Sequence, residues 1–315
     1  MNNPRTVVVT GGAGVIGSHL VDHILKMGYS VIVIDNLSSG NLKNLAENKN
    51  LHFIQADVCD KETKNIYVKF QPFIIFHLAA HYANELSIKE PEIDLETNTK
   101  GTLVQLEIAR QLGIKRFVYA SSSCIYAPTS EALKENDLAM PHTPYGISKL
   151  AGEYYCNFYS KIYGLPITII RYFNAYGPRE DFNQYRGVVP RFIEKAIHGL
   201  PIIITGNGEE TRDFTFVNDS VEGTVLAALM EEGKNQVFNI GTGKAVTILQ
   251  LAETIKKVSK SSSPIEYLSR RGWDETISRN ANIEKAQQMI GYDPQYDLEQ
   301  GLEETVFWYQ KSKYK

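Results

Sequence analysis

A β-rich run, Arg5–Thr10, breaks into Gly11-Gly12-Ala13-Gly14-Val15-Ile16-Gly17, and a helix-length segment, Val15–Met27, follows at once. No other feature of the chain constrains the fold as much. In Gly12-x-Gly14-x-x-Gly17, extended by Gly11, the glycines permit a tight turn, a close backbone approach to a pyrophosphate, and close helix–strand packing. The helix N-terminus then directs free N–H groups and a partial positive charge at a phosphate. Eighteen residues after Gly17, Asp35 ends a second apolar run, Val31–Asp35. A carboxylate there accepts hydrogen bonds from both adenosine ribose hydroxyls and repels a 2′-phosphate, so NAD is expected rather than NADP. Asp57, just past the third run, suits either an adenine amino group or a plain turn.

Further apolar runs fall at His52–Ala56, Phe73–Ala79, Arg116–Ala120 and Ile167–Tyr172, separated by helix-length segments Lys61–Phe70, Leu95–Leu112 and Tyr145–Tyr163. Continuous Val/Ile runs alternating with helices predict an α/β fold, a doubly wound parallel sheet covered on both faces. After Phe173 the pieces shorten: helix at Val188–His198, strand at Ile202–Ile204, helix at Asn218–Glu232, strand at Val237–Ile240, helix at Leu249–Val258. Ser259–Ser263 reads as a flexible loop. The division expected is a Rossmann domain over 1–173, with 214–240 returning to it, and a smaller α/β substrate domain over 174–315.

Hydrophobic residues at 43% and charged residues at 22% suit a folded soluble chain. A net charge of −3 provides no basic field for nucleic acid or an anionic membrane. No run approaches the ~18 apolar residues of a bilayer span. Met-Asn-Asn-Pro-Arg leads straight into a strand, so no signal peptide is expected. Cys59, Cys124 and Cys156 have neither zinc spacing nor an even count, so neither a metal site nor a disulfide framework is expected. A cytoplasmic enzyme is the expectation.

Tyr145-Gly-Ile-Ser-Lys149 puts a phenol and an ammonium on one helix face. A phenol near pKa ~10 becomes a base only if cations stabilise its anion, and a shift of ~3 units requires about 4 kcal/mol. Lys149 and a positively charged nicotinamide could supply it together. Tyr309 and Lys313 share the spacing but read as surface residues. Tyr145 differs by its context, because Ser121-Ser122-Ser123 lies just beyond a strand, where parallel sheets place their ligands.

These segments together resemble the extended short-chain dehydrogenase/reductase family, in its NAD-dependent nucleotide-sugar epimerase/dehydratase group. The resemblance rests on Thr10–Gly17, Asp35–Gly40, His77-Leu-Ala-Ala80, Asn98 with Gly101-Thr102, Tyr145-x-x-x-Lys149, Arg171-Tyr-Phe-Asn-Ala-Tyr-Gly177, Thr211-Arg-Asp213 and Asn239-Ile-Gly-Thr-Gly243. It implies an NAD site formed by Gly11, Gly14, Val15, Ile16, Gly17, Asp35, Asn36, Ser38, Gly40, Asp57, Val58, Leu78, Ala79, Ala80, Asn98, Tyr145 and Lys149. It implies Tyr145 as base at sugar C4, Lys149 as its partner, and Ser122 as the hydroxyl that binds the reacting oxygen. Asn174, Arg212 and Arg271 match positions that hold a nucleotide diphosphate, as does the segment Arg271–Asp274. Val189 and Arg191 lie in a segment that packs around the base. Arg212 has a second reading, an ion pair with Asp213 or Glu210. His81 and Tyr82 could reach the sugar, or serve only loop structure with Asn84 and Ser87. A UDP-sugar substrate and a homodimer built on the two long helices follow from the same resemblance.

Where dehydratases of the group carry Asp then Glu after the Ser/Thr, this chain has Ser123 and Cys124, so simple C6 dehydration is not expected. Ser-x-Cys124-Ile-Tyr instead resembles sugar-nucleotide 3,5-epimerases, whose cysteine exchanges a proton beside the transient ketone. Oxidation at C4 acidifies C5, and a thiol near pKa ~8.5 suits that transfer. Cys124 could equally be a small buried filler. Those epimerases pair the cysteine with a lysine after Tyr-Gly-Pro, whereas this chain has Arg179 and Arg186 there, which stay protonated. The leading expectation is therefore C4 oxidation of a UDP-hexose or UDP-N-acetylhexosamine with Cys124-assisted proton transfer at C5, as in epimerisation or processing of a 5,6-ene. A plain UDP-glucose or UDP-N-acetylglucosamine 4-epimerase is the alternative, and a silent NAD-sensing or scaffold protein is the reading from another class.

Overall fold

The alternating Val/Ile runs assemble, in a computed structural model that describes residues 5–180, 187–272 and 277–312, into a seven-stranded sheet. The first half supplies β1 (Thr6–Thr10), β2 (Ser30–Asp35), β3 (Leu51–Gln55), β4 (Ile74–His77), β5 (Arg116–Ser122) and β6 (Ile167–Tyr172). The second half adds β7 (Ala175–Tyr176), β8 (Ile202–Thr205), β9 (Thr211–Arg212), β10 (Thr215–Phe216), β11 (Gln236–Ile240), β12 (Val246–Thr247), β13 (Ile265–Leu268) and β14 (Ser278–Arg279). The large sheet runs β3-β2-β1-β4-β5-β6-β11, parallel throughout. Chain order reverses between β1 and β4, which opens a crevice at the carboxyl ends of those strands, the usual ligand position in such sheets. Strands β4, β5 and β6 are buried along their whole length because helices cover both faces.

The helices are α1 (Val15–Lys26), α2 (Thr63–Phe70), α3 (Asn84–Lys89), α4 (Pro91–Asp94), α5 (Gly101–Leu112), α6 (Pro144–Tyr163), α7 (Val188–Ile197), α8 (Val217–Leu229), α9 (Ile248–Ser259), α10 (Glu284–Ile290) and α11 (Leu298–Ser312). The helix expected over 95–112 begins as a wider π turn, Leu95–Lys100, before α5. Helix α8 packs on α1, and one apolar cluster runs from Val9 and Ile170 to Phe192, Ile204 and Leu251, so both halves share a core. Among the described residues no helix is long and apolar enough to cross a membrane.

Two expectations are corrected. Tyr309 is not at the surface: it is 4% exposed and its hydroxyl donates to the Glu180 carbonyl. An i, i+4 pair on an amphipathic helix can face either way, and here the phenol faces the core. Ser259–Ser263 is not a loose loop either, because Ser261 donates to the Ala196 carbonyl and Ser263 is buried. Serines suit a turn, but these satisfy the end of α7.

The second half also forms a three-stranded sheet, β12-β9-β14, with β14 parallel to β9 and β12 antiparallel. The buried Asp213 carboxylate ties this sheet to two turns by accepting from Thr242 N (2.8 Å), Thr242 Oγ1 (2.7 Å), Gly243 N (2.9 Å) and Ala281 N (3.3 Å).

Candidate active site

A cavity of about 420 Å³ runs from the glycine turn, over the carboxyl ends of β1, β4 and β5, to the second half of the chain. At its cofactor end a Cβ on Gly17 would stand 2.2 Å from the Gly11 carbonyl oxygen, so no larger residue allows α1 to start so close to β1. Asp35 lines the same end. Its carboxylate accepts from Ala13 N at 3.0 Å and Leu37 N at 2.8 Å, which aims it at the cavity with acceptor capacity to spare. Gly11, Gly14, Val15, Ile16, Asn36, Ser38, Val58, Leu78, Ala79 and Ala80 also line it. This cradle fits a dinucleotide, with backbone for the pyrophosphate and a carboxylate for the ribose.

Some expected residues lie behind the wall. Gly40 packs against the Asp35 carboxylate. Asp57 accepts from Asn36 Nδ2 and Cys59 N, both at 2.8 Å, and despite burial these hydrogen bonds hold its carboxyl below the usual range. Asn98 is fully buried; it receives His81 N at 2.8 Å and donates to Asp94 Oδ2 at 2.9 Å and Ser148 Oγ at 3.1 Å. It braces the loop after β4 against α6, one residue from Lys149.

At the reacting end β5 continues through Ser121 and Ser122, beyond the expected Ala120, because both pair with β6. Ser122 Oγ then accepts Cys124 N at 3.1 Å and caps the short turn Ser123–Ile125. Helix α6 starts with Thr143 as its cap and Pro144 in the first turn, a favoured arrangement. A Cβ on Gly146 would lie 2.5 Å from the Cys124 carbonyl oxygen, so glycine lets α6 rest directly on that turn. Tyr145, 7% exposed, thereby lines the cavity together with Ser122. One turn on, Lys149 Nζ donates to the Ala120 carbonyl at 2.9 Å and lies 5.9 Å from the Tyr145 ring centroid.

Burial pushes the Tyr145 phenol well above 10, and the nearby Cys124 and Tyr82 add to this. Burial lowers Lys149 to about 8, with Asp94 opposing the shift. Lys149 alone therefore does not ionise the phenol. The lysine shift carries a stability signature. Between about 8 and 10.5 the unfolded lysine holds a proton that the folded one has lost, so stability rises with pH across that window. The difference between the protein and its Lys149→Met variant should move in the protein's favour by ~3 kcal/mol from pH 8 to 10.5. Urea unfolding at both pH values measures it; a pH-independent difference would refute it.

On the substrate side Tyr82, Asn174, Arg191, Arg212 and Arg271 line the cavity with Ser122, Ser123, Cys124, Tyr145 and Lys149. Arg271 Nη1 sits 3.7 Å from Glu85 Oε2. Val189 is turned into the core and its neighbour Val188 lines the cavity. His81 lies outside the lining, with Nε2 3.1 Å from Glu90. Asp274 lies outside the described residues. Asn84 and Ser87 brace the start of α6: Thr143 Oγ1 donates to Asn84 Oδ1 at 2.8 Å, and Tyr145 N donates to Ser87 Oγ at 3.1 Å. Sequence reasoning missed Arg279, whose Nη1 lies 3.3 Å from Cys124 Sγ. No local pattern marks it, since a two-residue strand carries it there.

The NAD dependent epimerase/dehydratase family matches residues 7–241. A putative UDP-glucose 4-epimerase of Methanocaldococcus jannaschii is 36% identical over 96% of this chain and 97% of its own. A UDP-N-acetyl-alpha-D-glucosaminuronate decarboxylase of Bacillus cytotoxicus is 35% identical over 98% of each. The UDP-glucose 4-epimerase of Thermotoga maritima, solved with UDP-glucose, superposes with a TM-score of 0.93 at 38% identity, covering 98% of this chain and 99% of that one.

Proposed function

The chain belongs to the NAD dependent epimerase/dehydratase family and is an NAD-dependent enzyme that modifies UDP-sugars, and from its site we propose that it inverts C4 of a UDP-hexose. One observation carries this: Ser122, Tyr145 and the buried Lys149 line one cavity together, while the turn after Ser122 holds Ser123 and Cys124 and no carboxylic acid. A proton can therefore be exchanged at O4, but that turn offers no acid to protonate a departing hydroxyl.

NAD, when bound, supplies the hydride acceptor and donor for C4. Gly11, Gly14, Gly17 and Asp35 would hold it. Ser122 fixes O4 through its hydroxyl, Tyr145 takes the O4 proton and later returns it, and the Lys149 charge favours the phenolate. A planar ketone accepts hydride on either face, so inversion requires the sugar to turn. Asn174, Arg212 and Arg271 would keep the diphosphate in place meanwhile.

The reading with C5 chemistry has one observation in its favour, the Arg279 guanidinium against the Cys124 thiol. A guanidinium stabilises a thiolate but cannot alternate as acid and base. The only lysine lining the cavity, among the described residues, is Lys149. Plain C4 inversion is therefore favoured.

The test is NMR of UDP-glucose, UDP-N-acetylglucosamine and UDP-glucuronate incubated with the enzyme in deuterated water. C4 inversion with no deuterium on carbon is expected. Deuterium at C5, lost in Cys124→Ala, would establish the C5 reading instead. No conversion and no reduction of NAD with any sugar would leave the NAD-sensing or scaffold reading.

On α6, Ile147, Tyr154, Phe158 and Ile162 form one exposed apolar stripe, and Leu95 is exposed as well. A second copy packed on that stripe is the homodimer we infer.

A further inference from the structure

We propose that Asp94 is the counter-charge of Lys149, a positioning residue that keeps the lysine charged beside Tyr145 through a bridge made by Asn98 and Ser148. The inference rests on the C4 reading above, in which that charge favours the phenolate.

Lys149 is 2% exposed, and its Nζ donates to a neutral partner, the Ala120 carbonyl. The next acid on α6, Glu153, is committed to Arg171. Asp94 is the complementary case. It ends α4, which packs on α6, and it is fully buried with no hydrogen-bond partner for Oδ1. Its Oδ2 accepts Asn98 Nδ2 at 2.9 Å, and the same amide nitrogen donates to Ser148 Oγ at 3.1 Å, in the residue before Lys149. Ser148 Oγ then donates to the Tyr145 carbonyl at 3.0 Å. One amide thus ties a buried carboxylate to the helical turn that carries both Tyr145 and Lys149. Two opposite buried charges held in this way offset each other's loss of water.

The other titratable groups facing Lys149 leave this role to Asp94. His77, from β4, is kept neutral by burial, which lowers it to about 3. Tyr119, from β5, has its ring 5.3 Å from Nζ, and Tyr145 and Cys156 lie on α6 itself. Burial pushes all three well above their ordinary values, so none is an anion at neutral pH. Burial lowers Lys149 as well, and Asp94 is the strongest influence in the opposite direction. Burial raises the Asp94 carboxyl, against which Ser148, His81 and Lys149 all act. His81 faces Asp94 from the loop after β4, with Nδ1 3.9 Å from Oδ2, and its Nε2 lies 3.1 Å from the exposed Glu90. A protonated His81 completes an alternation of sign from Glu90 at the surface to Lys149 in the cavity.

The test is the titration of Lys149 in the NAD-loaded enzyme, read by NMR from its isotope-labelled Cε, with Lys149→Met identifying the signal. In Asp94→Asn the lysine should lose its proton at a pH lower by about one unit or more, the effect of removing one nearby opposite charge. The coupling is reciprocal, so in Lys149→Met the Asp94 carboxyl should titrate higher by the same amount. That second arm needs no change at Asp94 and decides the matter if Asp94→Asn fails to fold. The alkaline limb of kcat should move down with the lysine, so that above it Asp94→Asn falls about tenfold further below its own plateau than the wild type does. A titration that is the same in variant and wild type would overturn the inference. So would a kcat lowered equally at every pH with the limb unmoved, which would make Asp94 a structural residue only. A shifted lysine without C4 inversion of any sugar defeats the C4 reading, whereas C4 inversion with an unmoved lysine defeats the inference alone.

Discussion

Replacing Tyr145 by phenylalanine should lower kcat by ~10²- to 10⁴-fold, the usual contribution of a positioned acid–base group. The phenyl ring fills the space of the phenol, and its edge-on contact with Tyr82, 5.9 Å between centroids, needs no hydroxyl. Helix α6 keeps its cap at Thr143 and its support from Ser87, since both act through backbone groups at its start. Only the phenol oxygen of a residue that lines the cavity is lost. NAD content and affinity for UDP-glucose should therefore persist while C4 oxidation fails. Steady-state kinetics alongside calorimetry would test this, and a variant retaining more than about a tenth of wild-type kcat would show that another group moves the O4 proton.

The largest effect on stability should come from Glu153 and Arg171. Glu153 follows Lys149 by one turn of α6, and Arg171 lies in β6; both are buried. The pair is bidentate, with Arg171 Nε 2.9 Å from Glu153 Oε1 and Nη2 2.7 Å from Oε2. The remaining Arg171 Nη1 donates to Tyr126 Oη and the Glu135 carbonyl, both at 2.7 Å, and Ser121 donates to Glu153. Tyr126 in turn donates to Asn239 Oδ1 at 2.7 Å, which links the network to β11. Removing one partner strands the other charge in the interior, so Glu153→Ala or Arg171→Ala should each cost ~3–5 kcal/mol. The double variant Glu153→Met with Arg171→Met should recover part of that loss, because no unpaired charge remains. Urea unfolding of the three variants decides it; single variants costing under ~1 kcal/mol would mean that water or rearrangement compensates the stranded charge. Because Ser121 and Lys149 adjoin this network, the same pair supports the segment that carries Ser122.

Long strands and helices were legible because their signals are local. β6 has the bounds expected from its apolar run, and α1 and α6 begin within a residue of expectation. β4 is shorter than its run of apolar residues, since Leu78 and Ala79 leave the sheet to line the cavity, a role equally served by apolar side chains. The orientation of Tyr309 was not legible for a similar reason. Periodicity shows that a helix has two faces, while the packing around it decides which residue faces inward. The strands of two residues were invisible, because pairing, not propensity, holds them in place.

The cofactor half was determined by the sequence itself. A glycine turn between strand and helix, and a carboxylate at the next strand end, act within about 25 residues of chain, where backbone geometry leaves few options. The Tyr145–Lys149 spacing is likewise set by one helical turn. The other end of the cavity was decided only by the tertiary structure. Arg279 meets Cys124 across 155 positions of sequence, through the register of β9 and β14 and the buried Asp213 behind them. The sequence contains both residues, but only the pairing of distant strands brings the guanidinium to the thiol.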